Sequence, residues 1–134
     1  VTPPRWLNKK ALILLHTESL VEHGGLEGLR DEGLLESALA RPQNLLAYQK
    51  VTDPAQLAAA YGVGIVRNHP FIDGNKRVAF LSVGVFLRLN SHRLVVGKVE
   101  ATQVMLDLAV GELSEEAFTR WLQQHLTLGV YTLT

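Results

Sequence analysis

The sequence predicts an all-α domain: a compact bundle of about six helices around a central hydrophobic helix, with one short flap-like extended segment. Two observations carry this. Apolar residues recur at helical spacing, as at Leu34, Leu35, Ala38 and Leu39. Helix-start residues recur as well: Asn8, Asp31, Asp53 with Pro54, and Ser114. A chain of 134 residues fits one domain, 1–134, with one core.

The opening VTPPRW is extended, because Pro3 and Pro4 restrict their neighbours. Asn8 caps a helix over about Lys9–His23, with Leu12, Leu15, Leu20 and Val21 on its apolar side; Gly24 and Gly25 end it. A glycine-rich connection follows. Asp31 then caps a helix through about Ala40, and Pro42 closes it. Residues 43–53 lack a helical period, and Leu45, Leu46, Tyr48 and Val51 fit a short extended or hairpin-like segment. Asp53-Pro54 starts a helix to about Asn68, rich in small residues (Ala55, Ala58, Ala59, Ala60, Gly62, Gly64) that let another helix approach. Pro70 turns the chain. The helix from Asn75 to about Asn90 carries VAFLSVGVFL, apolar almost all round, and is expected to be the central one. Residues 92–98 form a strand-like link before helices over Val99–Val110 and Ser114–Leu126. The tail GVYTLT reads as a short strand or a frayed end.

Composition narrows the function. Thirteen Lys and Arg balance 13 Asp and Glu, so nothing pulls the whole domain toward nucleic acid or an anionic membrane. With no cysteine, disulfides and thiolate metal sites are excluded, and a reducing cytoplasm is compatible. The expected location is cytoplasmic: no early segment reads as a signal peptide, and no apolar run is long enough to span a bilayer. Hydrophobic residues make up 47%, enough for a core.

The chemistry concentrates in HPFIDGNKR, residues 69–77, between two apolar helices. A charged turn in that setting is costly unless it binds something. His69 is the candidate general base, since a neutral imidazole can accept a hydroxyl proton. Pro70 and Phe71 read as structural, fixing the turn and plugging the core. Asp73 either caps the next helix or holds Mg²⁺ together with phosphate oxygens. Gly74 permits close approach of a phosphate, Asn75 adds a donor, Lys76 a point charge and Arg77 a bidentate fork. Two cations at a helix N-terminus oppose its dipole, a cost that phosphate binding explains and a plain surface turn does not. The spacing is not that of a P-loop. Arg67 reads equally as a site residue or a surface ion pair. Arg30, Asp31 and Glu32 read as caps and local pairs, Trp6 and Trp121 as packing, and the other histidines as scattered.

This run resembles the motif of the Fic/Doc superfamily. Fic proteins read HPF-x-[D/E]-G-N-G-R-x-x-R and Doc-like proteins H-x-F-x-[D/N]-[A/G]-N-K-R, so Lys76 places the chain nearer the death-on-curing (Doc) branch. The likeness extends to GGLEGLRDEGLLESALARPQN upstream and FLRLNSHRL downstream. It implies a compact all-α fold and an enzyme using ATP and Mg²⁺ to modify a protein hydroxyl. His69 would be the base, Asp73 the Mg²⁺ ligand, and Gly74, Asn75, Lys76 and Arg77 the phosphate grip. Leu46, Ala47, Tyr48, Gln49, Lys50, Val51 and Thr52 would form the flap that aligns the target. The Doc branch implies a toxin of a type II toxin–antitoxin pair, a kinase of Ser/Thr hydroxyls whose target is translation elongation factor Tu, neutralised by a Phd-like antitoxin. AMP transfer, the Fic activity, is the alternative, and a non-catalytic binding module a second. Phe80 stands where Fic enzymes carry a second arginine, which favours phosphate over AMP transfer; Leu81 departs from the polar residue of the Doc toxin. No self-inhibitory [S/T]-x-x-x-E-[G/N] motif is evident, which points to a separate antitoxin. Its expected groove lies near the first helix and residues 43–53, with Leu20, Leu45, Leu46 and Tyr48 as contacts.

Overall fold

The computed structural model describes residues 2–128; the expectation for the tail GVYTLT lies outside them. Six helices and two short strands follow in order: α1 (Lys9–His23), α2 (Glu32–Gln49), α3 (Pro54–Asn68), α4 (Asn75–Leu89), β1 (His92–Leu94), α5 (Lys98–Ala109), α6 (Glu115–His125) and β2 (Leu126–Leu128). The all-α bundle is as expected, and so are four caps. Side chains of Asn8, Asp31, Asp53 and Ser114 accept from the main-chain N–H of Ala11, Leu34, Ala55 and Ala117. Each satisfies one of the donors that a helix start leaves unpaired.

The hub is α3, not α4 as the apolar run of α4 suggested. Every residue from Leu57 to Val66 is buried. α4 buries one stripe (Val78, Ala79, Ser82, Val83, Phe86 and Leu87) and leaves Leu81 and Leu89 exposed. Small residues decide the matter, because helices pack closest where side chains are shortest. A methyl group at Gly62 would lie 2.9 Å from Val83 Cγ2 of α4 and 3.2 Å from Phe118 Cε2 of α6. One at Gly64 would lie 3.2 Å from the Cα of Ala38 in α2. Around this hub Leu35, Phe71, Phe86 and Leu122 are each buried, worth about 1.5–3 kcal/mol apiece in area removed from water. Buried Tyr61 receives the Leu7 N–H at 3.0 Å and so fastens the N-terminal segment; burial pushes its hydroxyl up to about 12, against the smaller opposite pull of that bond. Trp6 stacks on Phe86 and Trp121 on Phe118, the packing roles expected of them. On α1, Leu12 and Leu20 face inward with His16 and Ser19, whereas Val21 faces solvent.

Two expectations about residues 40–53 are corrected. Pro42 does not close α2, and residues 43–49 are helical rather than extended. A proline inside a helix costs about 3 kcal/mol through its missing N–H and a steric clash. Tertiary packing outweighs that here. The inward positions run straight through it: Leu35, Ala38, Leu39 and Pro42 are buried, and half-buried Leu45 continues the same period. Arg41 adds a tie, donating to Ala60 O at 3.3 Å and pairing with Glu115 at 2.8 Å. Of the expected flap segment only residues 50–52 are non-helical, after Lys50 ends α2 in the left-handed conformation. The strand pair of the domain lies elsewhere: β1 and β2 run antiparallel, with Arg93 opposite Thr127.

Candidate functional site

The run His69–Arg77 joins the end of hub helix α3 to the start of α4. His69 is the C-cap of α3, its N–H bonded to Ile65 O at 3.0 Å. Its backbone is left-handed, φ 51 and ψ 56, which a residue with a Cβ adopts at a cost of about 1–2 kcal/mol. Pro70 and Phe71 then go into the interior, and the imidazole of His69 stays exposed.

The glycine loop between α1 and α2 lies along this run and pins it. Ile72 N–H donates to Gly28 O at 3.0 Å, while the N–H groups of Arg30 and Asp31 both donate to Pro70 O, at 2.7 and 3.0 Å. The Arg30 guanidinium reaches His69 O at 2.6 Å through Nε and Asn68 O at 2.7 Å through Nη2. From the other side comes His16 of α1. Its ring stacks on Phe71 at 3.8 Å, and its Nε2 donates to the main-chain oxygen of Asp73 at 2.8 Å. A carbonyl only accepts, so this nitrogen carries the proton.

The Asp73 carboxylate does not cap α4. One oxygen receives the Leu26 N–H at 3.1 Å and the other the Gly74 N–H at 2.9 Å. Those two bonds, Leu26 first, hold its carboxyl below the ordinary aspartate value, and the charges of Arg77 and His16 add to the effect. Gly25 makes the approach possible: a methyl group there would sit 3.0 Å from Asp73 Oδ2 and 2.9 Å from Leu20 Cδ2. Exposed and ionised, Asp73 suits a hard cation. Among the described residues no cluster of three acidic, His or Cys side chains accompanies it, so further ligands would come from phosphate and water. The donor set fits Mg²⁺ held jointly with a nucleotide.

α4 starts at Gly74, left-handed at φ 75, with no side-chain cap. Its first-turn N–H groups stay open to an anion. Lys76 and Arg77 stand exposed in that turn, and neither forms an ion pair with a described residue. The side chain of Asn75 is not spare: buried, it accepts from Phe71 N at 3.0 Å and donates to Phe71 O at 2.9 Å, locking the turn. What Asn75 offers a phosphate is its main-chain N–H. Arg67 is exposed two residues before His69 and pairs with no described carboxylate. Residues 46–52 lie at the far end of α2 from the Arg30 contacts. A cleft of about 220 Å³ borders α1, lined by His16, Thr17, Leu20, Gly28 and Phe71; Leu20 was expected at such a groove, but Leu45, Leu46 and Tyr48 do not line it.

Sequence reading missed His16 and Arg30. His16 left one signal, a polar residue on the inward face of α1 between Leu12 and Leu20. Arg30 left none, since its partners are carbonyls 38 and 39 residues away.

An all-α domain that carries, in one run, an exposed histidine, an ionised carboxylate and an open, doubly cationic helix start has the chemistry to receive a phosphate group. The Fic/DOC family model matches residues 6–87, and the chain belongs to that family. It is 36% identical over 110 residues to "Protein kinase doc" of Escherichia phage P1, covering 82% of this chain and 86% of that protein. It is 39% identical over 82 residues to "Toxin Doc" of Mycolicibacterium smegmatis, covering 58% of this chain and 61% of that protein. The domain is thus homologous to Doc-type toxins.

Proposed function

We propose that this domain is a Doc-type toxin that transfers the γ-phosphate of ATP to a Ser or Thr hydroxyl of a protein. The observation that carries the reading is the start of α4: uncapped, with Lys76 and Arg77 in its first turn, next to Asp73 held ionised. Gly74 leaves room for the phosphates to approach, and the main-chain N–H groups from Asn75 onward, with Lys76 and Arg77, bind and orient them. Asp73 holds Mg²⁺, which when bound neutralises phosphate charge. His69 takes the proton of the target hydroxyl as its oxygen bonds to the γ-phosphorus; the bond from that phosphorus to the β–γ bridging oxygen breaks, and ADP leaves. Likeness over most of the chain to a protein named as a kinase supports phosphate transfer, and so do Lys76 and Phe80. Elongation factor Tu is the first target to try, and a Phd-like antitoxin the expected partner. Residues 46–52 remain the candidates for target alignment.

Incubation with α- and γ-labelled ATP, Mg²⁺ and a bacterial lysate tests the reaction. Label from the γ position alone is expected; label from the α position would mean AMP transfer. His69→Ala should lower transfer by about 10²–10⁴-fold while staying folded. A His69→Ala variant with full transfer would remove the histidine from the mechanism. The partner is tested by co-expression with the neighbouring short reading frame: a stable complex that transfers no label is expected.

A further inference from the structure

We infer that Arg30 is a positioning residue for His69: its guanidinium fork grips the last carbonyls of α3 and fixes the direction in which the imidazole leaves the backbone. The inference rests on the reading of His69 given above and adds a residue to it.

At His69 the chain does several unfavourable things together. Helix α3 stops, leaving carbonyls without helical partners. The residue turns left-handed, and a proline follows, a combination that neither the helical nor the extended backbone usual before proline would produce. Such a conformation persists only when its surroundings over-determine it. The imidazole contributes nothing to that, being exposed and without a hydrogen bond to any described residue. The restraint comes from the main chain, and Arg30 supplies most of it. Nε meets His69 O at 2.6 Å, Nη2 meets Asn68 O at 2.7 Å, and its own N–H meets Pro70 O at 2.7 Å. One residue therefore touches three successive carbonyls spanning the peptide planes on both sides of His69.

The chemistry of the side chain suits this task. A guanidinium presents parallel donors in a rigid plane, and two neighbouring carbonyls accept both at once; an ammonium is a point charge with no such fork. No described carboxylate pairs with Arg30 to draw it away. Its base is firm as well. Arg30 directly precedes Asp31, the cap of α2, and α2 returns a contact to the same helix end where Asn68 Nδ2 donates to Leu34 O at 2.9 Å. A cation beside the last carbonyls of a helix is also favourable to its dipole, so a role in stability alone is the competing account. The two separate on whether charge suffices or the fork is needed.

The experiment compares the full chain with Arg30→Lys and Arg30→Ala by ATP-dependent label transfer, by thermal unfolding and by amide hydrogen exchange. Arg30→Lys keeps the charge and loses the fork. Both variants should lower kcat by about ten- to a hundredfold, the scale of a misplaced catalytic group, with KM for ATP within about twofold because the phosphate grip on α4 is untouched. Exchange at the His69 amide, bonded to Ile65 O, should quicken, while the first turn of α4 is unchanged. Millimolar guanidinium should restore part of the kcat of Arg30→Ala. Full kcat in Arg30→Lys would reduce the residue to a helix-end charge and overturn the inference. Wild-type kcat in Arg30→Ala would do the same. If Arg30→Ala fails to fold, Arg30→Lys decides alone. Wild-type protein that transfers no label overturns the reading of His69 itself, and the positioning role with it; that result differs from one in which the wild type works and the variants equal it.

Discussion

Two helix starts, those of α2 and α4, are built on opposite plans. α2 opens on Asp31, whose carboxylate receives the Leu34 N–H at 2.9 Å, with acidic Glu32 in the first turn and Lys9 pairing with Glu32 and Glu36. Asp31 and Glu32 agree with the helix dipole, and Lys9 is matched by its two glutamates. α4 opens on Gly74, carries no side-chain cap, and places Lys76 and Arg77 where the dipole disfavours them. The same loop joins both: residues 28–31 lead into α2 while bonding to Pro70 and Ile72 just ahead of α4. The difference separates a start shaped for stability from one left uncapped and cationic, as the proposed phosphate grip requires.

Arg77→Ala should break that comparison most forcefully. Loss of the fork proposed to grip the transferring phosphate should lower kcat/KM by about 10²–10³-fold, whereas the melting temperature should hold or rise slightly. Labelled transfer and thermal unfolding on one preparation check both halves. A stability loss matching the activity loss would make α4 an ordinary helix start.

Asp31→Ala should do the reverse. Removing the cap should cost about 1 kcal/mol of stability, read by urea unfolding, with KM for ATP unchanged.

The smallest effect concerns pH. Asp73 has a folded-state value below its unfolded one, so its bonds to Leu26 and Gly74 add stability that is fully present above the unfolded aspartate range. That stability is lost as pH falls through the lower folded value. The gap in stability between wild type and Asp73→Asn should therefore be constant near neutrality and narrow in acid. A gap that widens on acidification would reverse the sign assigned to Asp73.

What the sequence revealed was local. Asn8, Asp31, Asp53 and Ser114 act on N–H groups two or three residues away, and all four caps were readable. The run from His69 to Arg77 is contiguous and was readable for the same reason. Contacts across the fold were hidden. His16 meets Asp73 at a separation of 57 residues, and Arg30 meets His69 at 39. The passage of α2 through Pro42 was hidden too, because local propensity argues against it and only packing on α3 reverses the balance. The apolar run of α4 misled about the centre of the bundle, since hydrophobicity measures what a helix can bury and side-chain size decides how closely others come.

The glycines of α3 bear on how this domain can drift over generations. Space beside Gly64 is bounded by the main chain of Ala38, which cannot swing aside as a side chain does. Gly62 faces Val83 and Phe118 from two different helices, so a methyl group there would need both to yield together. Diversity among descendants of this sequence should therefore gather on outward positions such as Val21, Val99 and Val110, while the interior of α3 stays nearly frozen.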